Sequence, residues 1–167
     1  MDISANAVKE VRTQTSAGML DCKKALEHCG GDINAAIEAL RQKGFVMAEK
    51  RASRTVGEGV VSTYLHHNSR VGALVELNCE TDFVARTEDF KRLAHDIAIQ
   101  VVASSPTYLD SNEMPDDCDL PAEDVCLLAQ PFVKDPSKTI ADLITESVAR
   151  TGENIRIGRF ARIELGC

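Results

Sequence analysis

The stretch VGALVELNCETDFVAR, Val71 to Arg86, decides how the rest of the chain is read. Val71, Ala73, Val75 and Leu77 alternate with more polar neighbours, the period-two signature of a half-buried strand. Thr81, Asp82, Phe83 and Val84 then follow where the strand should stop, just ahead of a charged helical pattern. A loop between a strand and a helix lies at the surface by default. Two readings of Phe83 stay open on pattern alone: an aromatic folded back onto its own core, or one presented to something outside. Asp82 is likewise either a cap or turn residue or part of a presented pair.

Working outward, VVSTYLH (60–66) alternates in the same way, and HNSR (67–70) joins it to the strand at 71–78, so the two read as an antiparallel hairpin. On the other side, TEDFKRLAHDIAIQVVASS (87–105) is an amphipathic helix. Thr87 is its cap, Glu88 and Asp89 suit the first-turn dipole, and Phe90, Leu93, Ala94, Ile97 and Val101 share the inward face. Residues 105–124 carry Asp, Glu and Pro with no basic residue and read as a surface loop, which runs into a short helix from Ala122 to Ala129. QPFVKDPSKT (130–139) reads as irregular, punctuated by Pro131 and Pro136. A helix follows from Ile140 to Arg150 and stops at Gly152. NIRIGRFARIEL (154–165) is a third strand, with Ile155, Ile157, Ala161, Ile163 and Leu165 expected on one face. The order β-β-α-(α)-α-β predicts a three-stranded antiparallel sheet with helices on one face. The other face and the edges of so small a sheet need cover, from self-association or from a partner.

The N-terminal part has a different period. Ala7, Val8 and Val11 recur at helical spacing; Gly18 in TSAGM marks a turn; Met19 to His28 is a second helix with Leu20, Ala25 and Leu26 inward. Gly30-Gly31 ends it. Asp32 caps a third helix, with Ile33, Ala36, Ile37 and Leu40 on one face, ending at Gly44. The expected organisation is α+β: a three-helix module at 1–44, a basic linker at 45–58 (Lys50, Arg51, Arg54), and an α+β core at 59–167. The linker is either a solvated hinge or a basic docking segment.

Composition narrows the function classes. Hydrophobic residues are 44% and charged residues 27% of the 167, enough for a core, while aromatics are 4% and Trp is absent, so Phe83 is one of few large anchors. The net charge of -7 argues against nucleic acid as a direct partner. No apolar run reaches the roughly 18–20 residues of a membrane span, and no signal pattern opens the chain, so a cytoplasmic location with no membrane partner is expected. The six cysteines, Cys22, Cys29, Cys79, Cys118, Cys126 and Cys167, form no CxxC pair and no zinc spacing; free thiols are expected, with Cys167 exposed and able to cross-link two chains in air.

Catalytic constellations are not evident. GEG at 57–59 lacks the Lys-Ser/Thr of a phosphate loop, no GxSxG occurs, His66-His67 sits at a hairpin turn and His95 lies in the long helix. Cys79 at a strand end reads as a buried thiol, the alternative being a thiol enzyme using a distant His. No catalytic residue, metal or cofactor is expected.

Two motifs, VRTQTSAGMLDCKKAL (Val11–Leu26) and ELNCETDFVAR (Glu76–Arg86), resemble the bacterial translation elongation factor Ts family. QPFVKDPSKTIADLI and IRIGRFARIELG are similar to that family too, so the likeness covers nearly the whole chain and is weakest in the acidic loop. Ser16 stands where Gly is commonest in the family and Val11 where Leu is. Longer relatives carry a duplicated core half, a helical hairpin and a C-terminal module, which makes this a short-form pattern.

The resemblance implies a ubiquitin-associated-like fold for the three-helix module and a dimerisation-type core. It implies guanine-nucleotide exchange on elongation factor Tu during translation elongation, with no enzyme chemistry. Thr81, Asp82, Phe83 and Val84 would form the contact, an Asp-Phe wedge disturbing the Mg²⁺ and phosphate side of the nucleotide site. Lys9, Arg12, Met19, Leu20 and Lys23 would contact the G domain from the helical module, with Lys50 and Arg51 as linker contacts. Two copies pairing as a homodimer would replace the missing core half. A binding module for some other protein stands as the alternative.

Overall fold

The computed structural model describes residues 3–15 and 17–166. Ser16 and Cys167 lie outside them, and with Cys167 the expected cross-link. Contacts divide the chain into two units, one holding residues up to Arg54 together with Thr145–Asn154, the other Thr55–Ile144 and Ile155 onward.

In the first unit, α1 (Ala5–Thr15), α2 (Met19–His28) and α3 (Ile33–Arg51) close around Val11, Cys22, Leu26 and Ala36, all fully buried, and Ile37. Gly30 and Gly31 both take positive φ, and the Gly31 amide returns to the Leu26 carbonyl at 2.8 Å, which ends α2 as expected. Asp32 Oδ1 accepts from the Ala35 amide at 3.0 Å and starts α3.

Two expectations fail here. Leu20 is not inward but 73% exposed. Residues two apart on a helix point about 200° away from each other, so with Cys22 and Leu26 buried, Leu20 faces out. Nor does α3 stop at Gly44: residues 45–51, read above as linker, are helical. FVMAEKR contains no breaker and several strong helix formers. Gly44 itself is buried, and a Cβ there would touch Thr145 Cγ2 at 3.5 Å and Ala149 at 3.7 Å, so the glycine lets these residues come close rather than ending the helix. Beyond the helix, the buried Asn154 side chain donates to the carbonyls of Ala52 (3.3 Å) and Arg54 (2.8 Å).

The second unit begins with β1 (Glu58–Leu65) and β2 (Val71–Cys79), continues through α4 (Asp82–Ala85), α5 (Glu88–Ser104), α6 (Ala122–Val125), β3 (Pro131–Phe132) and β4 (Asp135–Thr139), and includes β5 (Arg156–Glu164). A helix α7 (Ile140–Thr151) precedes β5. The sheet order is β1-β2-β5, antiparallel throughout. Ala73, Val75, Leu77 and Cys79 of β2 are buried on the face that α5 covers with Phe90, Leu93, Ala94, Ile97 and Val101. The fold class is therefore α+β, as read from the residues.

The third strand departs from its expected face. Glu76 pairs with Arg159 and Leu77 with Ile157, so Gly158 is an extra residue in β5. A bulge of this kind reverses the alternation. Ile155 and Ile157 point into the core, whereas Ile163 and Leu165 are 72% and 65% exposed on the other side. The stretch at 130–139, expected to be irregular, instead forms the β3–β4 hairpin, with Pro131 at the first position of its strand, where a missing amide is tolerated. The short helix expected at 122–129 is one turn of α-helix followed by a 3-10 turn at Leu127–Ala129. Gln100, fully buried on α5, ties this region down: it donates to Gln130 Oε1, Ser104 Oγ and the Pro131 carbonyl and accepts from the Val133 amide at 2.8 Å.

Candidate functional site

A single helical turn has no stability of its own, because nucleation costs more than its few hydrogen bonds return. α4 is such a turn, and its neighbours hold it. At its start, the Thr81 carbonyl accepts from the Ala85 amide (3.2 Å) and from the buried Cys79 thiol (3.2 Å). At its end, the Val84 carbonyl accepts from both the amide (3.0 Å) and the hydroxyl (2.8 Å) of Thr87, whose Oγ1 also caps α5 by accepting from the Phe90 amide at 3.3 Å. Ala85 is buried beneath the turn.

Phe83 rides on this pinned turn with 80% of its surface exposed, which decides between its two readings: the ring is not folded onto the core. The neighbouring Asp82 carboxylate meets Arg86 Nη2 at 2.9 Å, and both side chains are open to solvent. Thr81 and Val84 are half-buried and flank the pair. The four residues predicted as a contact are thus one local element. Arg86 belongs to it as well; its i,i+4 spacing from Asp82 is the signal that could have identified it.

The remaining predicted contacts lie in the first unit. Lys9 and Arg12, three apart on α1, are exposed, as are Met19 (61%) and Leu20 (73%) at the start of α2. Lys23 is exposed and 3.8 Å from Glu27. Lys50 is exposed on the last turn of α3, whereas Arg51 is half-buried, with Nε and Nη1 enclosed and without a hydrogen-bond partner among the described residues.

A second surface emerges from the bulge. Val61 (67%), Leu65 (64%), Leu74, Ile163 and Leu165 lie on the sheet face opposite α5, where Leu65, Leu74 and Ile163 help line an open groove of about 770 Å³. At the other end of that face, Glu76 accepts from Asn78 (3.0 Å) and Arg159 (2.8 Å), and these bonds, Asn78 first, hold its carboxyl below the usual glutamate range. Tyr64 bonds His66 Nδ1 at 3.2 Å and packs edge-on against His95. Among the described residues no group of three His, Cys, Asp or Glu is placed to hold a metal, and no helix is long and apolar enough to cross a membrane.

The family model described as elongation factor TS matches residues 2–119. An elongation factor Ts of Thermodesulfovibrio yellowstonii is 46% identical, with 99% of this chain and 98% of the relative covered. One from Carboxydothermus hydrogenoformans is 45% identical over 98% of this chain and 89% of the relative, and one from Thermotoga maritima 43% identical over 99% and 98%. The first alignment runs over 195 positions against a chain of 167 residues, so at least 28 positions of that relative face a gap here. The chain belongs to the elongation factor Ts family.

Proposed function

We propose that this family member is a guanine-nucleotide exchange factor: it binds the G domain of elongation factor Tu in the cytoplasm and speeds GDP release, with Asp82 and Phe83 as a wedge against the Mg²⁺ and phosphate side of the nucleotide site. The observation that carries this reading is Phe83, a large aromatic 80% exposed on a turn held at both ends. An exposed aromatic on a preorganised support is the kind of anchor that dominates protein interfaces.

Magnitudes define how the wedge works. A nanomolar nucleotide complex is worth about 12 kcal/mol, whereas burying one Phe yields roughly 1.5–3 kcal/mol. The wedge therefore acts as part of a standard interface, on the order of 1,600 Å². The ubiquitin-associated-like helical module supplies more of it through Lys9, Arg12, Met19, Leu20 and Lys23, with Lys50 and Arg51 as further contacts. The coupling is reciprocal: whatever weakens GDP weakens this protein's own binding equally. Because no bond in the nucleotide is cut, the chain acts without enzyme chemistry, and its direct partner is a protein rather than nucleic acid.

A homodimer is the second element of the reading. Val61, Leu65, Leu74 and Ile163 form an apolar sheet face that α5 leaves uncovered, and a second copy placed on it would complete a two-layer core. Light scattering at micromolar concentration is expected to give twice the chain mass; the mass of one chain would contradict this element.

The test of the function is release of fluorescent GDP from elongation factor Tu at substoichiometric amounts of this protein. Faster release supports exchange. Binding without acceleration would leave a plain binding module instead.

A further inference from the structure

We propose that Arg86 is a positioning residue for Asp82: it holds the carboxylate in place and carries its counter-charge into the interface. The inference rests on the exchange reading above and concerns how the Asp82–Phe83 turn is presented.

The geometry is specific. Arg86 Nη2 lies 2.9 Å from Asp82 Oδ2, four residues on, with the acid N-terminal to the base, the favoured order along a helix. The Arg86 amide also returns to the Asp82 carbonyl at 3.0 Å, so backbone and side chain of the two residues are joined twice. The ion pair is made through Oδ2 of the carboxylate. One carboxylate oxygen is thus held from within, and the other is assigned by this proposal to a donor on the partner surface.

For the stability of the fold this pair counts for little, because both side chains are solvated: 79% of Arg86 and 42% of Asp82 is exposed. For docking the sign is different. A carboxylate buried alone in an interface loses its hydration and strongly opposes association, whereas one that arrives with its guanidinium ion-pair partner keeps most of its compensation. The pair also limits the rotamers of Asp82 before contact, so less side-chain freedom is lost on docking. Arg86 therefore acts on exchange through Asp82 and not through the fold.

The experiment is fluorescent-GDP release from elongation factor Tu with wild type, Arg86→Ala, Arg86→Lys, Asp82→Ala and the Asp82→Ala/Arg86→Ala double variant, each with a thermal melt. Arg86→Ala is expected to lower the apparent efficiency of exchange roughly five-fold, a typical coupling between contacting residues. Arg86→Lys should restore most of it, melting temperatures should stay together, and in the Asp82→Ala background the loss of Arg86 should have no further effect. Three results would overturn the proposal: exchange by Arg86→Ala equal to wild type, a loss of full size in the Asp82→Ala background (Arg86 then touches the partner itself), or a loss that tracks a lowered melting temperature. If wild type itself does not speed release, the exchange reading fails; if it does and the cycle shows no coupling, only the role of Arg86 fails.

Discussion

Phe83 and Ala85 stand two residues apart on one helical turn and face opposite ways, the ring 80% exposed and the methyl 6%. Ala85 anchors the turn to the domain, and Phe83 makes almost no contribution to that anchoring. Phe83→Ala is therefore expected to leave the melting temperature within about a degree of wild type, as surface substitutions do, while lowering exchange on elongation factor Tu by roughly 10- to 100-fold, the worth of one buried Phe. A melt showing clear loss of stability would place the ring in the fold after all.

Gly158 sets which apolar residues of β5 reach the outer sheet face. A Cβ there would lie 2.7 Å from Glu76 Oε1 and 3.0 Å from its Cδ. Glu76 would have to leave Asn78 and Arg159 to make room. Gly158→Ala is expected to displace Glu76 from both partners and so to lower the melting temperature modestly, by roughly 2–4 °C. In a Glu76→Ala background, where the obstruction and its bonds are already gone, Gly158→Ala should cost little more.

The same bulge marks the limit of what pattern could reveal. The alternation in β2 and the 3.6 period of α5 are legible because one covered face dictates every residue along each of them. A one-residue insertion leaves no trace in an apolar count, yet it moves Ile163 to the opposite face from Ile157. Gly44 misled for a related reason: glycine ends helices often, but here its missing side chain serves close packing inside one. Hydrophobicity alone puts Leu20 inward, although the angle from the buried Cys22 and Leu26 points it out. At the candidate site, the strand end and the Asp-Phe pair were visible in the residues. The exposure of Phe83 was not, since it depends on Cys79, Thr87 and Ala85 fixing the turn in three dimensions.

Glu76 gives the fold a small pH dependence. Its carboxyl is held below the ordinary glutamate value of 4.5, chiefly by Asn78 and then by Arg159. With the folded value depressed, the unfolded chain binds more protons in that window, so stability is fully present above the unfolded value and declines as pH falls through the folded one. Melting curves from pH 6 down to about pH 3 should show wild type losing more than Glu76→Gln relative to their respective values at pH 6. Parallel losses would mean that Glu76 does not titrate with folding.

Met19 and Leu20 provide the last test, on the helical module. Both are exposed at the start of α2, while Cys22 and Leu26 of the same helix close the core. Two apolar side chains left open at the start of α2, on a module that also exposes Lys9, Arg12 and Lys23, suit a docking role. If the patch docks on elongation factor Tu, Met19→Ala and Leu20→Ala should each weaken the complex by about ten-fold, the range of an interface anchor. Neither should alter the melting temperature, because neither side chain is in the core. Titration by calorimetry separates the two effects. Affinity unchanged in both variants would remove the module from the interface and leave binding to the α+β domain alone, whereas a fall in stability would mean that Leu20 packs inward as its hydrophobicity first suggested.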